Sequence, residues 1–223
     1  MNSLNWANTP PQAILFDMDG VLVDSETAHW ESVRTVLREQ GILDKDHPLP
    51  MTGWSDRLIW PTLRQSLPLK DSDTTLIQRR AVPIESALRD HPPPLLPKVW
   101  EVLQFLHNRV PLVVVSASAR SQINLSITQF HSMFADTISG HDECLENKPS
   151  PMPYFNAAQR INVPIESCWI FEDSSTGLEA ALATGATVIS INASSVNDEL
   201  LYRCVSNWSD LSPILTLPCW KNT

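Results

Sequence analysis

Two carboxylates stand one residue apart at Asp17 and Asp19, directly after the apolar run Ala13 to Phe16, and Gly20 follows them. Other apolar runs also stop at polar residues: "PLVVV" before Ser116, "CWIF" before the acid pair Glu172 and Asp173, and a weaker "ADTIS" ahead of a loop carrying Lys148. An oxygen nucleophile, a second acid to move a proton, a hydroxyl, an ammonium and two further acids suit the transfer of a phosphoryl group. Four carboxylates in one crevice repel, so either their pKa values rise or a cation sits among them. Oxygen ligands with no His or Cys favour a hard ion, and Mg2+ is the usual cellular choice. Each residue alone has a plainer use. Asp17 and Asp19 could form a turn or helix cap, Ser116 a polar strand end, Lys148 a surface loop, and Glu172 with Asp173 a cap for the next helix. The order of all of them along the chain is the narrower signal.

These residues can meet only if the apolar runs are neighbouring parallel strands, because ligands then sit beyond the strands' C-terminal ends. The runs are continuous rather than alternating, as expected of strands covered on both faces, and "ATVISI" (186–191) adds another. Between them lie helical patterns. "VWEVLQFLHN" puts Val99, Val102, Leu103 and Leu106 on one face, "SPMPYFNAAQRI" opens with prolines, and "STGLEAALATG" runs from a Ser or Thr cap to Gly185. The alternation predicts an α/β fold with a doubly wound, Rossmann-like parallel sheet. Between Asp24 and Leu95 there is no convincing strand, only helical stretches such as "ETAHWESVRTVLREQ", closed by Gly41, and then a proline-rich linker, "DHPPPLLPK". The expected division is a catalytic core of residues 1–23 and 96–223 with a helical cap inserted at 24–95. Arg79 and Arg80 in that insertion are expected on a solvated helix face.

A chain of 223 residues has room for such a main domain and a smaller one. Its net charge of −9 argues against a sequence-independent nucleic-acid binder, although a bound cation would still let the crevice attract a small anion. The N-terminus lacks a basic stretch followed by an apolar one, and no apolar run approaches a membrane span. Cys144, Cys168, Cys204 and Cys219 have no metal-like spacing and read as scattered reduced thiols. A soluble, cytoplasmic protein is expected.

The four motifs resemble those of the haloacid dehalogenase superfamily, in its capped branch of sugar-phosphate phosphatases and β-phosphoglucomutase-like proteins. "DMDGVLVDS" matches the first, "VVVSAS" the second, "KPSP" the third, and "EDSSTGLEAALATG" the fourth apart from Thr184. The resemblance runs from about Gln12 to Ile191. It implies that Asp17 attacks phosphorus to form an aspartyl-phosphate, while Asp19 protonates the leaving oxygen and later deprotonates water. It implies that Mg2+ is held by Asp17, the Asp19 main-chain carbonyl and Asp173, with Glu172 acting through water. Ser116 and the Ala117 N–H would bind phosphate oxygens, and Lys148 would neutralise charge between nucleophile and phosphoryl group. The activity implied is hydrolysis of a small phosphorylated metabolite, a sugar or polyol phosphate.

Substrate choice in that branch lies with the cap. "MTGWSDRLIW" is similar to its T/S-G-x-S loop, which makes Thr52, Gly53, Trp54, Ser55 and Arg57 candidate substrate contacts, with Arg120 and His29 beside them. The mutase has Arg where Asp56 stands and Asn where Arg120 stands, and both departures count against mutase activity. His29 has counterparts in mutase and phosphatases alike, and a plain helix-face role is equally open to it. Trp30, Trp54 and Trp60 read as packing more readily than as a sugar platform. The family's usual Pro-Gly at the return to the core is Pro97-Lys98 here, a stiffer hinge. Dehalogenation is disfavoured because Asp19 is present. The alternatives are phosphoryl transfer of the β-phosphoglucomutase type and, from another class, a phosphoaspartate signalling module or a catalytically silent binding protein.

Overall fold

The computed structural model describes residues 10–42, 56–191, 203–205, 208 and 220. In chain order the elements are β1 (Ala13–Phe16), α1 (Glu26–Glu39), α2 (Asp56–Arg64), α3 (Asp73–Asp90), α4 (Val99–Leu106), β2 (Leu112–Ser116), α5 (Arg120–Ser126), β3 (Asp136–Ser139), α6 (Gly140–Glu143), α7 (Met152–Arg160), β4 (Cys168–Glu172), α8 (Ser175–Leu182), β5 (Thr187–Ile191) and β6 (Arg203–Val205). The six strands lie in the order β3-β2-β1-β4-β5-β6, and every neighbouring pair is parallel. From β1 the chain builds outward through β2 and β3, then crosses to β4 on the other side. The crevice between β1 and β4 is therefore a topological switch point, where ligands of open α/β sheets bind.

Alternation along β1 divides the core in two. Ile14 and Phe16 join Val99, Val102, Leu103 and Leu106 of α4 and Ile123 of α5 on one face. Ala13 and Leu15 join Tyr154 and Ala157 of α7 and Leu178 and Ala181 of α8 on the other. Every residue of β1 is thus buried, which is why its sequence shows no polar alternation. The expected strands and helices all form. The cap of α8 is Ser174, one residue before the expected stretch, with its side chain accepting from the Gly177 N–H.

Helices α1 to α3 enclose a separate apolar cluster around Val36, Trp60, Leu63 and Leu76. Helix α1 stops at Gly41, whose φ of 79° is a left-handed conformation suited to glycine. Arg79 is exposed and pairs with Glu39 and Asp71, but Arg80 departs from the expected solvated face. Only 2% of it is accessible, because its guanidinium is drawn inward by partners on α1 and α2.

Two chain crossings join this helical segment to the sheet, and they touch. Val23 bridges Leu95, the Asp24 N–H donates to the Pro94 carbonyl at 2.9 Å, and the Leu96 N–H to that of Leu22 at 2.9 Å. Immediately beyond, Lys98 takes φ 72° as the residue preceding α4. No helix among the described residues is long and apolar enough to cross a membrane.

Candidate active site

The parallel register carries the acidic strand ends into contact. One residue past the Phe16–Phe171 pairing stand Asp17 and Glu172, with the Asp17 N–H donating to the Phe171 carbonyl at 2.9 Å. Lys148 enters between them from the loop before α7. Its Nζ donates to Asp17 Oδ1 at 2.6 Å, to Glu172 Oε1 at 2.6 Å and to the Val115 carbonyl at 2.9 Å. All three side chains are buried, and burial by itself would lower the Lys148 pKa. The charges of Asp17 and Glu172 outweigh it, so the ammonium is held above its usual range. Asp17 is pushed well above the carboxylate range by burial, aided by Glu172, Asp173 and Asp19 and opposed by Lys148.

Glu172 is fixed by its own surroundings. Besides Lys148, the Tyr154 hydroxyl donates to Oε1 at 2.6 Å, and Oε2 accepts from the Asp173 N–H and the Ser174 hydroxyl. A side chain at Gly177 could not coexist with this arrangement, because its Cβ would lie 2.0 Å from Glu172 Oε1. Gly20 serves the neighbouring acid. At φ 83° it passes so close to Asp173 that a Cβ would lie 2.0 Å from Oδ2.

Asp19 occupies a different environment. Ser25 donates to Oδ1, Ser118 to Oδ2 at 3.2 Å, and His29 Nε2 lies 3.5 Å from Oδ1. Burial acts to raise its pKa, but His29, Ser25 and Ser118 together hold it below the usual range. Ser25 precedes α1 without capping it, since its hydroxyl is turned to Asp19 instead. His29 is oriented from the other side, where Arg80 contacts Nδ1 at 2.6 Å while also donating to Ser32 and Asp56. A guanidinium only donates, so Nδ1 accepts and the imidazole proton sits on Nε2, facing Asp19.

Ser116 Oγ accepts the Ser118 N–H at 3.1 Å, and the Ala117 carbonyl accepts from the Asn147 side chain at 2.9 Å. Asp17, Asp19, Ser116, Ala117, Lys148 and Asp173 line one cavity of about 440 Å³ between the sheet edge and the helical segment, and His29 joins them. Arg120 does not. Its guanidinium folds back on Thr137 of β3 and Glu143 of α6, away from the cavity, and its backbone N–H is held by Asp142. Thr52, Gly53, Trp54 and Ser55 lie outside the described residues, as does the side chain of Arg57.

Oxygens of Asp17, Glu172 and Asp173 lie within 4.8 Å of one another, close enough to share a metal ion. Asp173 Oδ1 is buried without a hydrogen-bond partner, and burial followed by the charge of Glu172 pushes its carboxyl up to about 8. An unsatisfied oxygen in a negative field is what a cation would correct, so the donor set fits one. Tyr154, Ser25, Ser118, Asn147 and Arg80 are site residues that sequence reasoning missed. Ser25 and Ser118 lay inside the quoted motifs "DMDGVLVDS" and "VVVSAS", whereas nothing local marked Tyr154 or Arg80.

A match to the family model of haloacid dehalogenase-like hydrolases spans residues 14–191, and the chain belongs to that family. Among curated relatives, the phosphorylated carbohydrates phosphatase of Thermotoga maritima is 28% identical over 194 residues, covering 84% of this chain and 88% of that one. The fructose-1-phosphate phosphatase YqaB of Escherichia coli is 29% identical, covering 80% and 95%. The fold is shared with CbbY from Rhodobacter sphaeroides, crystallised with phosphate, at a TM-score of 0.78 and 21% identity over 91% of this chain and 96% of that one.

Proposed function

We propose that the protein is a Mg2+-dependent phosphatase that hydrolyses a sugar or polyol phosphate through an aspartyl-phosphate on Asp17, with residues 24–95 serving as its cap. The observation carrying this reading is the Lys148 bridge, which holds the Asp17 carboxylate at 2.6 Å beside a second acid, Asp19, with its own separate set of hydrogen-bond donors. The names of the two curated phosphatases point the same way.

In the first half-reaction an Asp17 oxygen attacks phosphorus and the bond from phosphorus to the leaving oxygen breaks. Asp19 passes a proton to that oxygen, and the alcohol departs. Substrate phosphate arriving beside Asp19 adds negative charge and raises its proton affinity, so binding draws the needed proton from solvent. In the second half-reaction the Asp19 carboxylate takes a proton from water as the water attacks phosphorus. The bond to Asp17 then breaks, and inorganic phosphate leaves. The hydrogen bonds of Ser25 and Ser118 favour the carboxylate form that this water-activating step requires. Ser116 and the Ala117 N–H would bind phosphate oxygens. Asp17, Asp173 and the Asp19 carbonyl would hold Mg2+, with Glu172 acting through water, and the ion would neutralise charge on the transferring group.

The test is inorganic phosphate release from hexose, pentose and polyol phosphates, with and without Mg2+, beside an Asp17→Asn control. Metal-dependent release that falls by at least about a thousandfold in the control is expected, as for loss of a nucleophile. Release unaffected by Asp17→Asn would overturn the reading. Glucose 6-phosphate formed from β-glucose 1-phosphate, with no phosphate released, would replace hydrolysis by transfer.

A further inference from the structure

Building on the phosphatase reading, we infer that Gln122 is a specificity-determining residue whose side-chain amide hydrogen-bonds a hydroxyl of the leaving group. Gln122 lies in the first turn of α5, just after residues 116–119, and lines the same cavity as they do. It is 7% accessible, and neither amide atom has a hydrogen-bond partner among the described residues. A polar group so far buried is ordinarily partnered, because an unmet donor or acceptor gives up water without replacement. Oε1 and Nε2 are not among the side-chain atoms sealed in the interior, so the amide opens onto the cavity that the residue lines.

Its place suits the alcohol half of a phosphoester. Ser116 and the Ala117 N–H, assigned above to phosphate oxygens, stand at the end of β2, whereas α5 carries Gln122 to the seam with the helical segment. There the neighbouring Ser121 hydroxyl donates to Glu85 of α3 at 2.6 Å, and Ile77 and Ala81 of α3 share the cavity wall. With phosphorus held over Asp17 and Lys148 at the strand ends, the leaving group extends towards these helices. Gln122 is the one residue of α5 on the lining, since Arg120 is turned away to Thr137 and Glu143. The amide donates through Nε2 and accepts through Oε1, which matches hydroxyls on neighbouring carbons. A leaving group without hydroxyls would leave both atoms unmet, which is how a site built to bond a hydroxyl rejects the analogue lacking it.

The experiment compares the full-length protein with its Gln122→Met variant, which keeps the length of the side chain and removes the amide. With Mg2+ present, kcat and KM are measured for glucose 6-phosphate, ribose 5-phosphate and glucitol 6-phosphate, and for phenyl phosphate, whose leaving group carries no further polar atom. For the best of the three hydroxylated esters kcat/KM should fall about tenfold, through KM with kcat nearly unchanged, the pattern of a lost ground-state hydrogen bond. Phenyl phosphate should be hydrolysed as well by the variant as by the parent. The urea midpoint should not fall, because the amide has no partner among the described residues to lose. Equal losses on phenyl phosphate and the hydroxylated esters, or no loss on either, overturn the inference and leave the phosphatase reading intact. Should no ester release phosphate, the phosphatase reading falls and calorimetric binding of the same esters decides the role of Gln122. Binding of a hydroxylated ester about tenfold weaker in the variant then upholds that role, and unchanged or absent binding overturns it.

Discussion

Asp17 and Asp19 are chemically identical side chains two positions apart, yet their surroundings drive their proton affinities in opposite directions. Asp17 shares a buried pocket with two other acids and one ammonium, whereas Asp19 is ringed by hydroxyls and an imidazole. Lys148 opposes the burial that would neutralise Asp17 and so favours the carboxylate a nucleophile needs in the proposed reaction. The hydroxyls and imidazole keep Asp19 in the carboxylate form that would activate water. Asp173 shows what the acidic cluster costs the fold. Its pKa is raised to about 8, so folding favours its protonated form. Stability from this group is therefore full below the unfolded carboxylate range and is lost as pH rises towards about 8. In a metal-chelating buffer, the urea midpoint should fall between about pH 5 and pH 8. Asp173→Asn should lessen that fall, and Mg2+ should raise the midpoint more at the higher pH, since a ligand of the native state stabilises it. A midpoint that climbs with pH over this range would contradict the assignment.

At the scale of elements, the junction between sheet and helical segment holds a local conflict. Lys98 adopts φ 72°, a left-handed conformation that a side chain makes unfavourable. The sequence reading anticipated a stiff hinge from Pro97 and Lys98, and the strain sits in the lysine backbone. Lys98→Gly should raise unfolding free energy by about 1 kcal/mol, the relief of the left-handed penalty exceeding the entropy of an added glycine. Equilibrium denaturation checks this, and a loss of stability would show that the Lys98 side chain contributes more than its backbone costs. Helix α3 illustrates another element-scale effect. It carries Arg79 outward and Arg80 inward, so adjacent residues of one type serve a surface ion pair and the orientation of His29.

At the scale of the whole molecule, Trp208, from beyond β6, covers the sheet beneath β1 and β4. The Trp208 ring stacks on Phe171 with centroids 5.3 Å apart and lies 6.1 Å from Phe16, and its Nε1 donates to the Val21 carbonyl at 2.6 Å. One residue from the C-terminal part thereby packs under Asp17 and pins the turn that follows Asp19. Trp208→Ala should cost about 3–5 kcal/mol, the range for removing a large buried aromatic. A loss below about 1 kcal/mol in urea unfolding would mean that the ring is not an integral part of the core.

Much of the architecture and the core of the site could be read from the sequence, for identifiable reasons. Buried parallel strands need unbroken apolar runs, so β1, β2, β4 and β5 announced themselves, and a polar residue ending each run already marked the crevice. The acids, Ser116 and Lys148 were legible because their types and order are unusual together. Tertiary structure alone decided the rest. Tyr154 looked like one more residue of an amphipathic helix until its hydroxyl met Glu172, and Trp208 lay in a tail without periodicity. Arg80 read as a solvated charge because periodicity reports which face is apolar, not whether an acid, a hydroxyl and an imidazole wait at the end of a long side chain. Arg120 read as a substrate contact from its place after Ser116, yet Thr137 and Glu143 offered nearer partners. Local pattern carries the backbone path and the strand ends; the pairing of long polar side chains depends on contacts between residues dozens of positions apart, which no local pattern records.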